Sequence, residues 1–505
     1  MNYLLKIALL FHLLLISNAN AQYSNNWCFG DSAGINFNNT PPTTFTSAVK
    51  SRGSCASISD SLGNLLFYYS YDPTAILTGQ NPFNGGEVYT STHQLMQNGD
   101  LLVSGAWYNE GLIIPKPLDP NKYILFNIGV TGNFGLYYSE IDLSLNGGSG
   151  AVTQKNVQLL SNKANDGLTA VKHGNGRDWW VFFRESTTSS NANNVFYKYL
   201  VSPQGISGPY TQSIGTLTSI NSYRYFFSKD GSKLGAVGYR GLIETYDLDR
   251  CNGLLSNYKS IKSDVIVAPV PGVWSGAFSP DGTKLYVATS YDDSYLWQFN
   301  LLDSLPQNTV DTLANFNFSI PAGGALKLAP DNKIYWSCAW NDGVTFNYPY
   351  PDTTYNMFNM NLSVINSPDS LGAACDFQPY SFYLGGNRTY WGLPNNPNYE
   401  LGPLTGSICD TLTVGLTEIA NYKNNITVYY DADWQIAFLN AKGLKGKNYN
   451  LQLYNLNGQL LLHEKGKLTS NYFTEDLNLL GYSKGLYIVR LITEKEVLTA
   501  KFVVE

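Results

Sequence analysis

Charge is scarce in this 505-residue chain: only 14% of its residues are Asp, Glu, Lys or Arg, and the net charge is −6. No cluster of five or more basic residues occurs, so the positive footprint that phosphate neutralisation requires is missing and nucleic acid is excluded as an expected partner. Histidine is rarer still. His93, His173 and His463 stand far apart, without H-E-x-x-H or a similar ligand spacing. The six cysteines, Cys28, Cys55, Cys251, Cys338, Cys375 and Cys409, are scattered with no C-x-x-C pair, which argues against zinc. Neither a metal nor a cofactor is expected. A G-x-S-x-G elbow is also absent, so an α/β-hydrolase nucleophile has no support. After residue 21 no run of about 18 apolar residues occurs, so no transmembrane segment is expected in the mature chain.

What is present begins with a leader. Asn2 to Lys6 is weakly positive, Ile7 to Ile16 is apolar except for His12, and Ala19-Asn20-Ala21 supplies an A-x-A site. An apolar core this short fits a signal peptide rather than a membrane span, with cleavage expected before Gln22. Export places the cysteines where disulfides can form, and six cysteines leave 15 pairings open.

Aromatic residues make up 14% of the chain, with 37 Tyr and 46 Gly. Aromatic and β-branched side chains suit pleated strands, while Gly, Asn and Asp fill turns, so the expected class is all-β. One hairpin recurs: ISDSLGNLLFYY, IIPKPLDPNKYILF, VKHGNGRDWWVFF, FSKDGSKLGAV, FSPDGTKLYVA and LAPDNKIYWS. Its turns at Asp60, Asp119, Asn175, Asp230, Asp281 and Asp331 are spaced by 59, 56, 55, 51 and 50 residues. Pro sets φ at the first turn position, Asp caps, Gly accepts positive φ, and the following Lys is expected to stay solvated. A near-constant period of this length, in units of short strands, predicts a propeller whose blades stack around an axis. A seventh unit is expected around Cys375 to Gly386. The expectation is therefore a seven-bladed β-propeller over residues 22–394, closed by pairing between the strands after Gln22 and the last blade.

The opening NNWCFGDSAGINFN, HQLMQNGDLL at His93, SEIDLSLNGGSGAVTQKNV at Ser139, YDLDRCNGLLS at Tyr246, the FSPDG turns and ACDFQP occur in an informative order. In this order the segment from Asn26 to Pro394 resembles the secreted WD-like or PD-like β-propeller proteins of Gram-negative bacteria that use the type IX secretion system. Relatives of that kind often carry inserted adhesion-type sandwich domains; none is visible here, which leaves the ring as the expected working module. Six D-[S/T]-aliphatic triplets, at Asp31, Asp60, Asp303, Asp311, Asp369 and Asp410, resemble O-glycan acceptor sites of the same bacteria.

Residues 395–415 are rich in Pro, Asn and Gly and read as a linker. Beyond it, residues 416–505 carry about seven short strands with an Asn457-Gly458 hairpin signal, which suggests a small C-terminal β-sandwich. Tyr454, Asn457 and Gly458, then Gly485 and Tyr487, and finally Lys501 in the closing Lys-Phe-Val-Val carry a resemblance to the type A sorting domain of type IX secretion. The usual P-N-P turn near the start is missing. The resemblance implies contact with the type IX machinery, passage through the periplasm, and a secreted or outer-surface destination.

Candidate chemistry is sparse. Glu110, Glu140, Asp166, Glu185 and Glu244 are carboxylates that an axial glycosidase could use, but nothing in the sequence pairs them. The S-P-D-G turn lacks the terminal Trp of a sialidase Asp-box. Trp107, Trp179, Trp180, Trp274, Trp297, Trp336, Trp340 and Trp391 are expected mainly between blades, and Asp292-Asp293 in a solvated loop. The expected function is a non-catalytic module that binds an extracellular protein or glycan. The alternative is a propeller-fold polysaccharide hydrolase with axial carboxylates.

Overall fold

A computed structural model of the chain describes residues 22–71, 84–105, 107–130, 132–186, 192–219, 222–262, 272–290, 294–316, 321–340, 353–410, 426–431 and 434–504. The expected signal, residues 1–21, and the Asp292-Asp293 loop lie outside the described residues. The chain divides into two compact units, residues 1–413 and 414–505.

In the first unit the described residues form seven consecutive antiparallel sheets. The first two have three strands, over residues 26–50 and 56–90. The other five have four, over residues 111–160, 169–218, 223–262, 272–316 and 321–383. Each sheet is laid down in chain order, every strand pairing with the next. The first strands of sheets two to seven, such as Ala56–Ser59 and Gly272–Phe278, are buried along their whole described length or nearly so. Inner strands of neighbouring sheets touch: Ala56–Ser59 meets Gly111–Pro115, Tyr223–Phe227 meets Gly272–Phe278, and that strand meets Pro321–Leu328. These strands therefore line an axis, and the chain is a β-propeller.

Aromatic rings fill the gaps between sheets. Phe67 meets Tyr123 edge-on at 5.1 Å, Phe182 meets Phe227 at 5.6 Å, and Trp27 of the first sheet meets Tyr335 of the seventh at 5.8 Å. The last contact brings the two ends of the series together. Such pairs add about 0.5–1.5 kcal/mol to the burial of their area.

All six recurrent turns join the first strand of a sheet to its second, in sheets two to seven. In the S-P-D-G turn, Ser279 Oγ donates to Asp281 Oδ1 at 2.5 Å and accepts from Lys284 N at 2.9 Å, while Thr283 N donates to Asp281 Oδ1 at 2.9 Å. Turn chemistry thus accounts for the motif. Lys284, expected in solvent, is buried with its Nζ 2.8 Å from Thr283 Oγ1.

Two expectations need correction. The segment around Cys375 to Gly386 is not a seventh repeat: Phe377–Tyr383 is the outer strand of the sheet that begins at Pro321. The additional sheet lies instead at residues 26–50, before the first turn signal. It has no such turn because its inner strand is not contributed by the neighbouring sequence. Residues 389–394 stand in that place, with Trp391 O accepting from Ala325 N at 2.8 Å on one side and Asn395 N donating to Cys55 O at 2.8 Å on the other. The approach is close enough that a Cβ on Gly392 would fall 2.1 Å from Gly53 O. Just before it, Arg388 exchanges backbone hydrogen bonds with Asp31 and forms an ion pair with its carboxylate.

The second correction concerns residues 395–415. Of the described part, 395–401 packs into the ring rather than looping out as a linker, and 402–410 runs largely exposed along it. Asn395 Nδ2 donates to Gly111 O at 3.0 Å and Leu168 O at 2.8 Å, and buried Tyr399 donates to Ile113 O at 2.9 Å. Lys327 Nζ holds Asn396 O at 2.9 Å, and Lys172 Nζ holds Tyr399 O at 2.7 Å. The segment continues to Gly402, whose carbonyl accepts from Arg250 Nη2 at 2.7 Å, and ends at a Cys251–Cys409 disulfide. The Asn-rich composition serves an irregular buried path, where side-chain amides must satisfy backbone groups that no strand pairs. Cys28, Cys55, Cys338 and Cys375 are buried thiols.

The second unit is a two-sheet sandwich of seven strands. One sheet pairs Ile426–Asp431, Ile436–Lys442 and Tyr472–Asn478; the other runs Leu460–Lys467, Asn448–Asn455, Gly485–Thr493 and Val497–Val504. Alternate residues such as Leu451, Leu453, Val489, Leu491 and Phe502 form its core. The expected hairpin at Asn457-Gly458 is present, with Gly458 N donating to Asn455 O at 3.0 Å.

Because Cys251 and Cys409 are 158 residues apart, the disulfide closes a long loop of the unfolded chain. The Cys251→Ser, Cys409→Ser double variant is expected to lose about 2–4 kcal/mol of stability, read as a lower urea midpoint for the body's transition. An unchanged midpoint would show that the clasp does not hold the ring.

Candidate functional site

Chain segments that lead into the inner strands meet at one end of the ring. Arg52, Tyr108, Asp166, Arg224, Trp274 and Trp391 come from six different parts of the sequence and assemble there because each precedes or begins an inner strand. Tyr108 is the hub. Its ring meets Trp274 edge-on at 4.3 Å and Trp391 at 6.0 Å. The Arg224 guanidinium lies 4.5 Å from its centre and the Arg52 guanidinium 6.0 Å. Arg52 also lies over Trp391 at 4.8 Å, and Arg224 over Trp274 at 5.2 Å. Arg224 is buried and spends its Nη1 on Asp166 and on Tyr223 O at 2.7 Å, whereas Arg52 is partly exposed, and a stacked guanidinium keeps its N–H edge available for planar anions or carbonyls. Trp107 and Trp340 pack against this cluster and remain partly exposed.

Two of the five candidate carboxylates come together beneath this mouth. Asp166 is buried and pairs with Arg224 Nη1 at 2.9 Å, while Tyr223 N donates to its Oδ1 at 3.2 Å. Glu110 is fully buried; Ser104 Oγ donates to it at 2.8 Å and Gly105 N at 3.1 Å. Burial, with a smaller contribution from the charge on Asp166, pushes the Glu110 carboxyl up to about 8 against the donated hydrogen bonds. An uncharged acid thus sits beside a paired carboxylate.

The other three are elsewhere. Glu140 is held by Lys116 at 2.6 Å and Lys122 at 3.3 Å on the third sheet. Glu185 accepts from Tyr197 Oη at 3.2 Å. Glu244 is buried between the fourth and fifth sheets, 4.0 Å from Arg184, and accepts from Tyr246 Oη at 2.7 Å. Among the eight tryptophans, Trp179, Trp180, Trp274, Trp336 and Trp391 are buried, while Trp297 stacks on Tyr295 at 5.5 Å.

His173 is half-buried beside the disulfide. Its Nδ1 accepts from Asn175 N at 3.0 Å and its Nε2 bonds Cys251 O at 2.7 Å, which braces the disulfide. Of the acceptor-like triplets, Ser61 and Ser304 are exposed in turns, whereas Thr411 lies outside the described residues. In the sandwich, Tyr454 lies on Asn448–Asn455, Asn457 and Gly458 form the turn, Gly485 opens Gly485–Thr493, buried Tyr487 donates to Ser483 O at 2.6 Å, and Lys501 lies on the last strand.

Sequence reasoning missed Arg52, Tyr108 and Arg224 because each is a single residue with no motif around it. It also missed Lys172 and Lys327, whose burial pushes both amines down to about 8. The available signal was position: Arg52, Tyr108 and Arg224 stand 6–11 residues before their own turn signals, and Lys172 and Lys327 three and four residues before theirs.

Residues 423–505 match the secretion system C-terminal sorting domain family. No curated protein is significantly similar in sequence. Among solved structures, a candidate 6-phosphogluconolactonase from Bacteroides uniformis is 13% identical, with a TM-score of 0.40, over 67% of this chain and 92% of its own. A second, from Bacteroides fragilis, is 11% identical, with a TM-score of 0.41, over 73% of this chain and 97% of its own. The periplasmic gluconolactonase of Pseudomonas aeruginosa is 12% identical with a TM-score of 0.32, over 78% and 95%. Among the described residues no helix is long and apolar enough to cross a membrane. The sorting domain marks the chain as a secreted or cell-surface protein that interacts with the type IX secretion machinery.

Proposed function

We propose that the exported ring is a non-catalytic binding module, delivered through the periplasm by a cleaved N-terminal signal and presented outside the cell by residues 416–505. The observation that carries this reading is the mouth of the ring: partly exposed Arg52, Trp107 and Trp340 pack there on the buried cluster of Tyr108, Trp274, Trp391 and Arg224, above carboxyls that are buried and already engaged. Aromatic anchors with arginine edges are the chemistry of a recognition surface for protein or glycan. Tyr454, Asn457, Gly458, Gly485, Tyr487 and Lys501 are the proposed marks by which the machinery reads the sandwich.

A second reading, a polysaccharide hydrolase, has one specific observation in its favour. Glu110 is poised as a protonated acid next to Asp166, which is paired with Arg224, and a glycosidase needs two carboxyls in different roles. Against it, both carboxyls are shielded from solvent and hold structural partners. The readings separate on a panel of neutral and acidic polysaccharides: no release of reducing ends is expected, and release that disappears in Glu110→Gln would establish the hydrolase.

A structural Glu110 has its own signature. The folded chain keeps a proton that the unfolded chain loses near the ordinary value of 4.5. Stability is therefore full below that value and falls as pH rises through about 8. Urea unfolding between pH 5 and 8 is expected to show this slope and Glu110→Gln to flatten it; parallel curves would contradict it. For export, removal of Leu416 to Glu505 is expected to leave the body in the periplasm, and its arrival in the medium or on the surface would contradict the address.

A further inference from the structure

A cleft of about 390 Å³ opens between the first two sheets, and its wall includes Asn26, Asn36, Asn38, Thr44, Phe45 and His93. Its size lies within the ~300–1,000 Å³ range of small-ligand sites. None of the lining residues carries a carboxylate, ammonium or guanidinium. Burial lowers the His93 imidazole below its ordinary value, so it too is neutral at physiological pH.

One side of the cleft is aromatic. Phe45 and His93 stand nearly parallel, their centres 5.9 Å apart at 22°. The Phe45 ring lies across Gly34, where a Cβ would come within 2.5 Å of it, so that glycine is what lets the ring lie against the strand. His93 is fixed from behind. Ala48 N donates to Tyr68 Oη at 3.0 Å, and the Tyr68 hydroxyl is hydrogen-bonded to His93 Nδ1 at 3.0 Å. With the Tyr68 hydroxyl as donor, the imidazole proton sits on Nε2. The residue also holds a left-handed backbone, φ 62, inside a tight hairpin closed by Thr90 N to Gln94 O at 2.8 Å.

The remaining wall is amide. Asn38 is locked, accepting from Asn25 Nδ2 at 2.8 Å and donating to Gly63 O at 2.7 Å. Asn26 Nδ2 donates to Gly63 O at 2.6 Å and Ser59 Oγ at 3.0 Å. Asn36 spends only its oxygen, accepting from Asn38 N at 2.8 Å, so its two amide protons have no protein acceptor among the described residues. A rigid amide with donors to spare faces a ring pair across an uncharged cleft.

The geometry points to a subsite for an uncharged pyranose, the sugar's C–H face lying on the Phe45 and His93 rings and its hydroxyls meeting Asn36 and His93 Nε2. Fixed amides match the paired donor and acceptor character of sugar hydroxyls, and the missing charge selects against uronates, sialates and phosphosugars. This inference rests on the binding-module reading but uses a different place on the ring.

The test is an array of neutral oligosaccharides (glucans, mannans and galactans) with acidic glycans beside them, probed with the full chain. Binding to neutral members is expected to weaken at least ten-fold in Asn36→Ala and in Phe45→Ala. Melting temperatures identify any variant that is merely unfolded, and the partly exposed Asn36 is the variant least exposed to that failure. No neutral glycan bound, selection of acidic members, or binding unaffected by Asn36→Ala would each overturn the subsite. Ligand capture that fails only in Arg52→Ala would overturn it too, while leaving the binding-module reading in place.

Discussion

A propeller sheet cannot bury both faces alone, so everything here depends on closing the ring. The chain closes it with sequence from its far end. Residues 388–394 occupy the inner position of the first sheet, between Ala325 and Cys55, where hydrogen bonds on both sides join the last sheet to the second. The first sheet can then have three strands, beginning at Asn26, and still present a complete inner edge. Closure also explains Arg388, whose pairing with Asp31 fastens the closing segment to the sheet it completes.

The same segment then crosses the ring, gripped by Asn395, Lys327 and Lys172, until the Cys251–Cys409 disulfide ends it. The outcome for function is an asymmetry between the two ends. One end gathers Arg52, Tyr108, Arg224, Trp274 and Trp391 into a mouth; toward the other, the crossing segment packs against the inner strands. A scaffold of this kind permits many functions, so the argument for binding rests on the mouth and on the cleft beside it, not on the fold.

The repeat period was readable in the sequence because each turn must solve the same local problem. Asp281, Ser279 and their equivalents cap backbone groups within five residues, and local chemistry leaves local signals. The first sheet was invisible to that reasoning because the residues that fill its inner position, 389–394, are more than 330 residues away in the chain, so no turn marks it. The Pro, Asn and Gly of residues 395–410 were misread for a related reason: irregular buried backbone and exposed linker share a composition, and only the partners of Asn395 and Tyr399 tell them apart. For the site, the sequence supplied Glu110 and Asp166 as isolated candidates and Trp274 and Trp391 as core. The arginines that define the mouth emerge only when six distant segments converge.

The central claim is that the stretch after the last sheet belongs to the ring and closes it. Thermal unfolding of two shortened chains, one ending at Asp410 and one at Asn387, tests this most directly. The account predicts that the chain ending at Asp410 unfolds in one cooperative transition near that of the body in the full-length protein, and that the chain ending at Asn387 shows no such transition. An equally cooperative and stable ring ending at Asn387 would contradict it.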